Sequence, residues 1–185
     1  MKRKLPTIGF IGTGIIGLPM AFNLIKNNYN IYAYVRNIKN HRNVKKTGCL
    51  IINDLTEFYE KIDILILAVS DTKDVEEILV GTNGLIKFSK TPKIVIDMST
   101  ICPIETISMS KKLSKFKISL IDAPVSGGEI GAIKGNLSIM VGGKKNKVNK
   151  VMPILKILGE KITYIGESGS GQVAKACNQL IVGQT

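Results

Sequence analysis

The hexapeptide Gly12-Thr13-Gly14-Ile15-Ile16-Gly17 limits what this chain can become more than any other stretch. The apolar run Thr7 to Ile11 enters it with the pattern of a strand, and a helical pattern from about Ile15 to Lys26 leaves it. Three glycines at that spacing between strand and helix have separate tasks. Gly12 makes the tight turn, Gly14 lets backbone approach a pyrophosphate, and Gly17 lets helix and strand pack closely. The N–H groups of the first helical turn, including those of Ile15 and Ile16, then face the phosphates, and the helix dipole adds attraction. A βα turn without a ligand would use the same glycines for shape alone. The context of this one favours dinucleotide binding.

The rest of the chain repeats the alternation. Strand patterns fall at Ile31 to Val35, Cys49 to Ile52, Ile62 to Val69, Lys93 to Asp97, Ile118 to Asp122, Leu137 to Val141 and Ile162 to Ile165. Helical patterns fall at about Thr72 to Leu79, from Pro103 onward, and at about Lys147 to Leu158. Such an order predicts an α/β fold, a Rossmann-type doubly wound, mainly parallel sheet covered on both faces. Residues 1–165 form the expected nucleotide-binding domain. From Gly171 the chain reads as one more helix, apolar and uncapped up to Thr185. Residues 166–185 are therefore expected to start a long interdomain helix leading to a helical second domain that is absent.

Composition narrows the function classes. The three cysteines, Cys49, Cys102 and Cys177, have no metal-type spacing, so no metal is expected and reduced thiols are. His41 is the only histidine and lies in a polar stretch, which argues against a Ser-His-Asp hydrolase. The net charge of +12 is almost all lysine spread along the chain, with Arg3, Arg36 and Arg42 the only arginines. Nucleic-acid recognition favours clustered arginine forks, so the charge reads as a solvated surface that helps attract an anionic cofactor and substrate. No apolar run nears the roughly 20 residues of a membrane helix, and the basic N-terminus runs into the glycine motif without a signal-peptide pattern. A cytoplasmic address is expected, with neither nucleic acid nor membrane as partner.

The end of the second strand bears on which dinucleotide is bound. NAD enzymes usually place an acid there to accept from the ribose hydroxyls. Here Tyr34-Val35-Arg36-Asn37 has none, and Arg36 would attract a 2′-phosphate with a charged fork. NADP is favoured over NAD, with Arg36 and Asn37 as the contacts. Arg36 stacked on adenine, or facing solvent, is the alternative.

Four segments, in order, carry a family likeness. They are Gly9-Phe10-Ile11-Gly12-Thr13-Gly14-Ile15-Ile16-Gly17 with Pro19-Met20; Asp97-Met98-Ser99-Thr100 with Pro103; Asp122-Ala123-Pro124-Val125-Ser126-Gly127-Gly128 leading to Gly135 and Met140-Val141-Gly142-Gly143; and Gly169-Ser170-Gly171 leading to Lys175. Together they resemble the β-hydroxyacid dehydrogenases, which include 3-hydroxyisobutyrate dehydrogenase and tartronate semialdehyde reductase (2-hydroxy-3-oxopropionate reductase). The resemblance implies an oxidoreductase that moves a hydride between NAD(P)H and a small β-hydroxy acid or semialdehyde. It makes Ser126, Gly127 and Gly128 the site of the substrate carboxylate, Thr100 a contact near the nicotinamide, and Val69 and Ser70 contacts to the cofactor. It makes Lys175 the general acid/base. A lysine among Val173, Ala174, Ala176 and Cys177 would lose solvation beside a bound substrate, which favours its neutral form. Asn178, one turn on, could hold the substrate hydroxyl. Many relatives place an asparagine one position later, where this chain has Gln179, so both are candidates, with Asn178 first. The segments look most like the tartronate semialdehyde reductase branch, which forms glycerate. A 3-hydroxyisobutyrate dehydrogenase and a non-catalytic dinucleotide-binding module are the alternatives. Relatives bury their second domain in oligomers, so a homo-oligomer is expected of the full-length protein.

Overall fold

The computed structural model describes residues 5–36 and 41–182, without the side chain of His41. Asn37 lies outside the described residues. Nine strands are described, β1 (Ile8–Ile11), β2 (Ile31–Tyr34), β3 (Leu50–Ile51), β4 (Ile64–Leu67), β5 (Ile94–Asp97), β6 (Ser119–Asp122), β7 (Val125–Ser126), β8 (Leu137–Gly142) and β9 (Gly159–Gly166). They form one sheet in the order β3-β2-β1-β4-β5-β6-β8-β7, with β9 also paired to β8. The first six run parallel in the expected doubly wound order. Beyond β6 the direction reverses: β8 is antiparallel to β6 and β7 and parallel to β9.

Period-two alternation explains why both faces are covered. On β4, Ile64 and Ile66 face one core and Leu65 and Leu67 the other; on β5, Ile94 and Ile96 oppose Val95. The first core is closed by Met20, Ala21 and Leu24 of α1 (Gly17–Lys26) and by Val148, Val151, Ile154, Leu155 and Leu158 of α7 (Lys145–Leu158). The second is closed by α3 (Leu55–Lys61), α4 (Thr72–Val80) and α5 (Pro103–Ser114), through Phe58, Tyr59, Val75, Leu79, Met109 and Leu113. Strands buried on both faces read as unbroken apolar runs, the usual state of a parallel sheet.

Several expectations need correction. The Ile62–Val69 run yields only Ile64–Leu67, because Ile62 terminates α3 and Asp63 turns aside to accept from the Thr7 N–H at 2.8 Å. The segment after Asp122 carries two elements that the strand and helix patterns did not include. It forms β7 and then α6 (Gly128–Lys134). The short helices α2 (His41–Lys46) and α3 were also unforeseen. Of the cysteines, only Cys49 is buried; Cys102 and Cys177 are exposed, and all three are free. The last helix, α8 (Ser170–Val182), starts one residue before Gly171 and leaves Val173, Leu180, Ile181 and Val182 exposed.

Candidate active site

The crevice lies where a doubly wound sheet forms one, at the carboxyl ends of β1 and β4, between which the strand order reverses. One end, about 270 Å³, is lined by the β1–α1 turn (Gly12, Thr13, Gly14), the end of β2 (Tyr34, Val35, Arg36), and Ala68, Val69, Ser70 and Asp74. It joins a larger cleft of about 800 Å³ through Gly14, Ala68, Val69 and Ser70. That cleft adds Ile15, Ile16 and Gly17, Met98 to Thr100, Val125 to Gly128, and Lys175, Gln179 and Val182.

The turn is shaped for a close-lying ligand. Gly12 has φ +97°, and any Cβ there would strike the carbonyl of Ala68. A Cβ on Gly17 would strike the carbonyl of Gly12, and would sit 3.1 Å from the Phe10 ring. Gly14 has open space on its outer side. No side chain caps α1 at Ile16; the Leu18 N–H already donates to the Gly14 carbonyl at 2.9 Å and Pro19 has none, so the N–H groups of Ile16 and Gly17 are the ones left to face an incoming anion. Gly12, Gly14, Ile15, Ile16 and Gly17 thus form a turn with the close backbone and open outer side that a pyrophosphate would need.

At the small end, Arg36 extends toward Asp74 on α4, Nη2 to Oδ1 3.5 Å, with its side chain 71% exposed. Asp74 was not foreseen. It comes from α4, whose first turn the Asp71 side chain caps by accepting from the Asp74 N–H at 2.9 Å.

In the large cleft, Lys175 is 6% exposed and donates from Nζ to Gln179 Oε1 at 2.7 Å. Burial pushes its ammonium pKa below the ordinary value. Ser126, Gly127 and Gly128 face it from the β7–α6 junction, where both glycines have positive φ, +125° and +60°. The two candidates on α8 divide. Gln179 lines the cleft and holds Lys175, whereas Asn178 lies beside Ser126, Nδ2 to Oγ 3.5 Å. Thr100, Val69 and Ser70 line the same cleft.

Beneath the cleft are groups that lie within the motifs but had no role assigned to them. Asp97 and Asp122 end β5 and β6 in register, and both are fully buried. Desolvation pushes the Asp97 carboxyl up to about 7, against hydrogen bonds from Ser99 that pull it down. Burial also raises Asp122, opposed by backbone N–H donors that include Gly169 and Gln172. Gln172, 1% exposed, bonds both sides of Thr100. Its only sequence signal was a place between Gly171 and Lys175 in the last motif.

The comparisons with known proteins agree with this geometry. The profile of the NAD binding domain of 6-phosphogluconate dehydrogenase matches residues 7–166. A 2-hydroxy-3-oxopropionate reductase of Escherichia coli K12 is 41% identical over 175 residues, 95% of this chain and 60% of its own. Among solved structures, the Mycobacterium tuberculosis 3-hydroxyisobutyrate dehydrogenase with L-serine superposes with a TM-score of 0.89 at 27% identity, over 97% of this chain and 60% of that one. A structure of Psf3 in complex with NADP+ and 2-OPP gives 0.89 at 25% identity, over 95% and 62%. The chain thus spans about 60% of the length of the relatives it matches. With the glycine turn, the doubly wound sheet and residues from all four motifs lining one crevice, the chain belongs to the β-hydroxyacid dehydrogenase family and carries its NAD-binding Rossmann fold.

Proposed function

We propose that this chain is the nucleotide-binding part of an NAD(P)-dependent enzyme that reduces tartronate semialdehyde to glycerate, with Lys175 as its general acid. The observation that carries the reading is the buried Lys175 ammonium in the cleft that also holds Thr100, Ser126, Gly127 and Gly128. Bound between Gly14 and Thr100, a reduced nicotinamide would supply the hydride. Ser126 and the N–H groups of Gly127 and Gly128 would hold the substrate carboxylate, which points the carbonyl oxygen at Lys175 Nζ. Lys175 then gives a proton to that oxygen as the carbon accepts the hydride, and it takes the proton back in the oxidative direction. Gln179 orients the ammonium, and Asn178 supports Ser126. A lowered lysine pKa brings the donor nearer the working pH.

Arg36 supports NADP over NAD, since its largely exposed guanidinium can turn to a 2′-phosphate. Residues 1–165 serve as the cofactor domain, and 166–185 begin a helical domain that completes the pocket and the homo-oligomer of a cytoplasmic enzyme. The exposed apolar residues of α8 support that packing. A 3-hydroxyisobutyrate substrate is the second reading, favoured by one observation. Val125 and Val182 give the cleft apolar walls suited to a methyl group.

The test is NADPH oxidation by the full-length protein with tartronate semialdehyde, beside the reverse reaction with 3-hydroxyisobutyrate. Lys175→Ala should lower kcat by about 10²- to 10⁴-fold with cofactor affinity retained. An unchanged rate would eliminate Lys175 as the acid, and a higher kcat/KM for 3-hydroxyisobutyrate would move the substrate to the second reading.

A further inference from the structure

The start of α8 is fastened to the sheet at a buried point that the proposed chemistry does not use directly. The Gln172 side chain donates from Nε2 to the Ser99 carbonyl at 2.8 Å and accepts at Oε1 from the Ile101 N–H at 3.1 Å. One amide therefore clasps the backbone on both sides of Thr100. Its main-chain N–H donates to Asp122 Oδ2 at 3.2 Å, and the Gly169 N–H donates to Asp122 Oδ1 at 2.8 Å. From the other side, the Ser99 N–H donates to Asp97 Oδ1 at 3.0 Å, and Ser99 Oγ accepts from the Val69 N–H at 3.0 Å. The chain of bonds runs from the β4 loop that lines the cofactor crevice, through the Thr100 segment, into the helix that carries Lys175.

Residue type and spacing both matter. A neutral amide can donate and accept at once, which is what the buried Ser99 carbonyl and the buried Ile101 N–H on either side of Thr100 require. Gln172 and Lys175 are three residues apart on α8 and both point inward, so the clasp lies one turn from the ammonium. We propose that Gln172 is a positioning residue that holds the Ser99–Ile101 segment and the Lys175 helix as one body, so that the proton donor stays in register with the hydride-transferring face of the cofactor. The proposal rests on the reading of Lys175 as the acid. Proton and hydride transfer tolerate little displacement, and about 1 Å of misplacement can lower the rate roughly 100-fold.

The test uses Gln172→Leu and Gln172→Glu in the full-length protein, alone and combined with Lys175→Ala. Gln172→Leu should lower kcat roughly 10- to 100-fold while KM and cofactor Kd stay within about threefold. In the Lys175→Ala background the same change should cost less than about twofold, because its effect passes through the missing ammonium. Gln172→Glu can make both bonds only while its carboxyl is protonated. With Asp122 on its main-chain N–H and Asp97 on the neighbouring Ser99 N–H, its kcat should fall with rising pH along a second limb, separate from the one that deprotonation of Lys175 gives the wild type. A folded Gln172→Leu with kcat within twofold of wild type, or a full loss repeated in the Lys175→Ala background, overturns the proposal. If Gln172→Leu does not fold, a Gln172→Glu enzyme with wild-type kcat and no new limb overturns it instead. Lys175→Ala at wild-type rate would sink the parent reading; Lys175→Ala inactive beside a normal Gln172→Leu would sink only this one.

Discussion

Arg36 and Asp74 meet at the mouth of the small cleft, and their contact sets how far one side chain can select a cofactor. At 3.5 Å, with Arg36 71% exposed, the pair is worth at most about 1 kcal/mol. A 2′-phosphate offers Arg36 two negative charges and a bidentate geometry, so it should displace Asp74. Removing the competing carboxylate frees the guanidinium. Asp74→Asn is expected to tighten NADPH binding two- to fivefold and leave NADH binding no tighter, as read by fluorescence titration. Equal gains for both cofactors would mean that Arg36 does not read the phosphate. This competition was not legible in the sequence. The absence of an acid after Tyr34 was plain, but the nearest acid comes from α4, 38 residues later. Lys175 and Ser126 to Gly128 were legible because their chemistry is tied to short motifs. Gln172 was not, since its partners Ser99 and Ile101 lie more than 70 residues away.

Elements show the same division. The apolar strands could be read as unbroken hydrophobic runs, α1, α4 and α7 from their period, and α5 from Pro103 at its first turn, because double-faced burial and a helical stripe of nine or more residues each leave a pattern. The seven-residue helices α3 and α6 are too short for that. For α3 a signal existed: Asp54 accepts from the Glu57 N–H at 2.8 Å, the capping arrangement that an Asp-x-x-Glu spacing announces. α6 is bounded by Gly127 and Gly135, both at positive φ, and its exposed Ile130 and Ile133 hide its amphipathic character. The entry to α8 shows why the last motif needs its glycines. Any Cβ on Gly171 would press on the Met140 carbonyl and lie 2.9 Å from both the main-chain and side-chain oxygens of Asp122. Gly171→Ala should push α8 off the sheet. The expected loss is about 1–3 kcal/mol of unfolding free energy, together with a fall in kcat, because Lys175 moves with the helix. A variant as stable and active as wild type would show that the junction is looser than this packing implies.

At the scale of the molecule, the doubly wound sheet concentrates two acids where a parallel fold can least hydrate them. Asp97 and Asp122 are register partners on neighbouring strands, both without solvent contact; desolvation, and to a smaller degree the charge of Asp122, raise the cost of ionising Asp97. Asp122 is offset by N–H donors from the start of α8; Asp97 Oδ2 has no hydrogen-bond partner among the described residues. Folded Asp97 therefore keeps its proton up to about pH 7, whereas the unfolded chain releases it near the ordinary 3.8. Between those values the folded state binds more protons, so unfolding free energy falls as pH rises and levels off above 7. From pH 5 to pH 8 the loss from this one group amounts to about 3 kcal/mol at 1.36 kcal/mol per pH unit. The raised Asp122 acts in the same direction. Asp97→Asn keeps an oxygen for the Ser99 N–H and removes the titration. Urea unfolding at pH 5 and pH 8 should therefore show a much smaller decline for the variant, and greater stability than wild type at pH 8. Parallel declines for the two proteins would mean that Asp97 is already ionised inside the fold, balanced by a donor that reaches it from the cleft.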